Sequence, residues 1–129
     1  MGYPEKNMFI WGDEINYDAR SAKVGYFPIM IIRALHYHPQ NRQIKYSSLF
    51  GRTIAIPEQD WKLYCYARNR VYNSRVINGK IKAFCRAVLD LTDFFFALLR
   101  LHQLKRIYVV LTAQKDGIKG ILYVNRKFI

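Results

Sequence analysis

The chain has 129 residues, enough for one domain, and its 51% hydrophobic and 16% aromatic content supplies a core and argues against wholesale disorder. Lys and Arg number 21 against nine Asp and Glu, a formal charge of +12 that favours polyanionic partners, nucleic acid first among them. No apolar run reaches the ~18 residues of a membrane span, the first residues lack secretory-signal features, and Cys65 and Cys85 form no CxxC pair or disulfide framework; the expectation is a cytoplasmic protein (nucleoid-associated if bacterial) with no membrane partner.

In chain order, residues 1–20 carry four acids and two bases and read as an N-terminal arm, packed through Phe9, Ile10 and Trp11 on the domain or on a second subunit. Residues 21–129 read as a single basic domain. Its first element is a helix over 27–38, with Pro28 in the first turn, Ile29, Ile32, Leu35 and His36 at helical spacing, and Pro39 as the stop. A short extended piece at 44–46 follows, then a brief helix at 48–52 capped by Ser47.

Pro57-Glu58-Gln59-Asp60 opens a longer helix over 57–72, with acids in its first turn. Trp61, Tyr64, Cys65 and Tyr72 share one face with Arg68 among them. Lys62, Tyr66, Asn69, Arg70 and Asn73 share a second, acid-free face; the stretch from Trp61 to Leu89 contains no acid at all. Asn73-Ser74 and Asn78-Gly79 are turn signals. From Lys80 the chain is helical again, either as one long helix or interrupted between Asp90 and Asp93, with Thr92 capping a new helix to His102. The apolar run from Phe94 to Leu99 is expected to be buried, across a dimer interface of Phe94, Phe95, Leu98 and Leu101. The β-rich runs 106–111 and 120–124, with Asp116-Gly117 between them, predict a C-terminal hairpin.

Two stretches, 44–70 and 94–128, resemble parts of a winged helix-turn-helix domain: a short strand, short helix, turn and longer helix, then a helix running into a hairpin with a basic, glycine-containing tip. The fold expected is α+β, mainly helical and winged-helix-like, with a C-terminal β-hairpin. The resemblance implies a sequence-specific double-stranded DNA-binding protein, a transcriptional regulator or a plasmid- or phage-type replication or partition factor. It departs from the family in placing the 80–102 segment between the reading helix and the wing.

Chemically, Asn69, Arg70 and Asn73 are the expected base readers, because Asn pairs in bidentate fashion with adenine and Arg with guanine. Arg52, Lys62, Tyr66, Arg75, Lys82 and Arg86 would hold phosphate, and Lys115 and Lys119 would act from the hairpin tip. A homodimer would place two such helices on half-sites. Other readings stay open. Tyr64, Tyr66 and Tyr72 suit stacking on RNA or single strands; His102, Tyr108, Tyr123 and Arg126 could serve a small ribonuclease toxin; an inhibitor-like module could dock on an acidic protein. His36 and His38 form an HxH too sparse for a metal site, and Asp90 and Asp93 read as caps. No cofactor, metal, small-molecule ligand or enzymatic activity is expected.

Overall fold

The computed structural model describes every residue except 1, 9, 30, 34, 36, 38–43, 50, 124–127 and 129. Helix α1 spans Asp13–Ala22, strand β1 Ile44–Leu49, strand β2 Arg52–Pro57, and helices α2, α3 and α4 span Asp60–Asn78, Lys80–Arg100 and Ile107–Lys119. Short 3-10 turns precede α1 at Lys6–Met8 and α4 at Leu104–Arg106.

α2 is central. α3 and α4 pack along it, the hairpin covers its start, and the N-terminal arm lies across its remaining side. The main core joins Leu63, Tyr64 and Ala67 of α2, Phe94, Ala97 and Leu98 of α3, Val109, Val110 and Ala113 of α4, Ile54 and Ile56 of β2, and Phe128 near the chain's end. Burying these side chains is the main driving force for the packing. A smaller cluster of Val71, Ala83 and Ala87 continues it toward the α2–α3 junction, with Ile118 packed against it. There Gly79, at φ 88° and ψ 173°, breaks the chain between the two long helices in a conformation that suits glycine.

The α+β class is as expected, but the hairpin is not C-terminal. β1 and β2 pair antiparallel in the middle of the chain, from Ile44 opposite Pro57 to Leu49 opposite Arg52, where a helix at 48–52 was expected. Residues 107–119, expected as strand and turn, form α4. Its buried positions Val109, Val110, Ala113 and Gly117 recur at helical spacing, and that packing overrides the strand preference of Ile107-Tyr108-Val109-Val110. α3 runs unbroken through Asp90–Asp93. The helix expected at 27–38 is absent among the described residues of that stretch, where Phe27, Ile29, Ile32 and Leu35 are exposed and non-helical.

Candidate functional site

The polar face of α2 is turned inward and holds the N-terminal arm by its backbone. The Asn69 side-chain amide donates to the carbonyls of Met8 (3.0 Å), Ile10 (2.8 Å) and Trp11 (2.7 Å), and that of Asn73 to the carbonyl of Gly12 (2.7 Å). Asn73 Oδ1 accepts from the Asn16 amide of α1 at 3.1 Å. Buried carbonyls need such partners, and drawing these four inward shapes the turn. Trp11 and Gly12 both adopt left-handed backbone, at φ 58° and 87°. For tryptophan this conformation costs on the order of 1–3 kcal/mol and persists only where surrounding contacts impose it. At position 12 an added Cβ would lie 2.9 Å from Asn73 Nδ2, so the close approach itself calls for glycine.

The turn delivers Asp13 and Glu14 to the first turn of α1, where the partial positive charge of the helix end favours carboxylates. Between α1 and α2 lies a pocket of about 380 Å³ lined by Trp11, Gly12, Glu14, Ile15, Tyr66, Arg70, Asn73, Ser74, Ile77, Asn78 and Arg86. Tyr66 meets Trp11 edge-on at 5.7 Å. Behind it, Arg70 grips Asp90 in a bidentate pair (2.9 Å each) while Arg86 reaches the same carboxylate at 3.0 Å. Burial works against the Arg70 charge, but the hydrogen bond and the charge of Asp90 outweigh it and raise its pKa. Two guanidiniums on one carboxylate leave that side of the pocket with one surplus positive charge, which Glu14 across the pocket balances in number. Glu14, exposed at the opposite rim, enters no ion pair among the described residues.

The expected DNA-contacting residues are therefore dispersed. Asn69 and Asn73, 1% and 5% exposed, face the arm, and Arg70 faces Asp90. Arg52 is paired with Asp93 through two 2.8 Å hydrogen bonds. Lys62 lies over the Trp61 ring at 5.3 Å, and the Tyr66 hydroxyl accepts from Arg70 at 3.0 Å. Arg75 sits in the last turn of α2, Arg86 on the pocket wall, and Lys82, Lys115 and Lys119 are exposed on α3 and α4. With α4 helical, Lys115 and Lys119 are not at a hairpin tip.

Of the expected dimer contacts, Phe94 and Leu98 are fully buried in the core of one chain and Leu101 is half-buried against it; Phe95 is exposed. Asp90 and Asp93 are arginine acceptors, not caps. His102 and Tyr108 flank the start of α4 and Tyr123 is exposed, while His36, His38, Phe9 and Arg126 lie outside the described residues. Among the described residues no group of three or more His, Cys, Asp or Glu is placed to hold a metal ion.

Sequence reasoning passed over Trp11, Glu14 and Asn78 as site residues. The available signal was the local charge reversal of the first 20 residues in a strongly basic chain. Compared with known proteins, the chain matches no family model, no curated protein and no solved structure.

Proposed function

We propose that the chain binds a small polyhydroxylated ring ligand bearing an anionic group, of the sugar-phosphate type, in the pocket between α1 and α2. The observation that carries this reading is the pocket's wall: aromatic side chains at Trp11 and Tyr66, a carboxylate at Glu14, amide and hydroxyl groups at Asn78 and Ser74, and surplus positive charge at Arg70 and Arg86. An indole offers a flat apolar face to the C–H side of a sugar ring, a carboxylate accepts hydroxyl hydrogen bonds, and a guanidinium pairs with phosphate. A volume of about 380 Å³ suits a ligand of that size. The strained turn at Trp11, fixed by buried amides, is the preorganisation a binding site needs.

Nucleic-acid binding keeps the +12 charge as its support. The expected base readers Asn69, Arg70 and Asn73 are engaged within the chain, while the expected phosphate contacts Lys82, Lys115 and Lys119 stay exposed.

In a Trp61→Phe variant, Trp11 becomes the single tryptophan and reports on the pocket. Its fluorescence should change saturably with hexose phosphates, more weakly with neutral methyl glycosides, and at least about tenfold less tightly after Glu14→Gln, which forfeits charged hydrogen bonds. No response to any sugar, alongside salt-resistant binding to one duplex sequence, would contradict the proposal.

A further inference from the structure

We infer that α3 lies flat on an anionic lipid surface, through a face separate from the pocket. Ile81, Phe84, Val88, Phe95, Phe96 and Leu99 are exposed by 43–82% and, with Cys85, Leu89 and Thr92, make an outward strip of uncharged side chains along the 21-residue helix. Apolar patches of this extent mark interaction sites, and here charge identifies the occupant.

Lys82 and Arg100, five helical turns apart, lie in the row beside Leu89 and Phe96. On the opposite side Lys115 and Lys119 of α4 border the apolar groove of about 310 Å³ formed with Phe84 and Val88. The acids of α3 are spent internally: Asp90 on Arg70 and Arg86, Asp93 on Arg52. Asp116 of α4 accepts from the Tyr64 hydroxyl at 2.6 Å.

An apolar strip with cations on both rims matches the acyl boundary and headgroups of an anionic leaflet. A second copy seated face to face would instead set cation against cation with no exposed acid to answer it. No helix among the described residues is long and apolar enough to cross a membrane, and the inner face of α3 is held by α2 and α4, so the helix is placed to lie in the interface.

The test is cosedimentation of the chain with vesicles of phosphatidylcholine, with and without phosphatidylglycerol, at low and high salt. Cys85 is exposed within the strip while Cys65 is buried, so an environment-sensitive dye on Cys85 reports insertion in the otherwise unaltered protein. Binding to the anionic vesicles should exceed binding to neutral ones at least about tenfold at low salt, with a blue shift of the dye. Phe84→Gln combined with Phe95→Gln, and separately Lys82→Glu combined with Lys115→Glu, should each abolish most of it while the melting temperature holds.

Absence of pelleting with either vesicle would overturn the inference. So would anionic binding with no dye shift, which is adsorption by charge alone, or a dimer in sedimentation equilibrium that the Phe84/Phe95 double variant dissociates.

Discussion

A guanidinium removed from water costs several kcal/mol unless its donors are met, and Arg68, 0% exposed, meets them largely with backbone. It donates to the carbonyls of Asn7 (3.3 Å) and Met8 (3.1 Å) near one end of the chain and of Leu122 (2.6 Å) and Tyr123 (3.1 Å) near the other, and to Asn69 Oδ1 at 3.0 Å. Arg68→Met keeps the apolar stem and strands those carbonyls. It should cost about 3–5 kcal/mol in urea melts and expose both ends to protease. A loss under about 1 kcal/mol would show that water replaces the guanidinium without penalty.

Beside it, burial first, then the hydrogen bond and charge of Asp116, raise the Tyr64 phenol, with Arg68 opposing. A folded-state value above the unfolded one contributes stability that is fully present below the ordinary tyrosine value of ~10 and is lost as pH rises through the folded value. Wild type should therefore lose stability as pH rises above ~10, toward the folded value, more steeply than Tyr64→Phe, by up to about 1.4 kcal/mol per pH unit. Equal slopes would contradict the burial argument.

Among the elements, the α2–α4 contact turns on Gly117. A Cβ there would stand 2.6 Å from the Arg68 carbonyl and 3.1 Å from Val71 Cβ, backbone and core that cannot swing aside. Gly117→Ala gains about 1 kcal/mol of helix propensity, yet prising the helices apart costs about 1–3 kcal/mol. The melting temperature should fall; a rise would mean α4 sits looser on α2. The same glycine explains why α4 was not readable from sequence. Asp116-Gly117 between β-rich runs has the composition of a hairpin turn, and only the spacing of Val109, Val110, Ala113 and Gly117 betrays the helix. α3 and the break at Gly79 were readable because a long amphipathic run and an Asn-Gly pair are strong local signals. α2, expected over 57–72, begins at Asp60 and runs to Asn78 through the Asn73-Ser74 turn signal, where the Asn73 amide donates to the Gly12 carbonyl. What covers each face is not a local property. The acid-free row through Asn69 and Asn73 has the same period whether it meets phosphate, water or the carbonyls of its own N-terminus.

For the molecule as a whole, every ion pair among the described residues uses arginine: Arg52, Arg70, Arg86 and Arg106 consume Asp93, Asp90 and Asp60. The planar, weakly hydrated guanidinium suits partly buried pairing, and lysine is left to the surface. The basic exterior was thus readable from composition, while the partner it serves was not, because charge alone does not distinguish a duplex from a lipid headgroup or a phosphorylated sugar. At this scale the expected C-terminal hairpin is replaced by α4, and the helix expected to read bases is the centre of the molecule.

The most direct test of this arrangement is ¹⁵N-resolved NMR of the backbone and side-chain amides, titrated in turn with a hexose phosphate and a DNA duplex. The proposed site predicts that the sugar shifts the backbone of residues 11–15 and the Asn78 amide. The Asn69 and Asn73 amides should be slow to exchange and unmoved by the duplex. Rapid exchange of those two amides, with duplex-induced shifts centred on Asn69, Arg70 and Asn73, would contradict it and return α2 to the DNA groove.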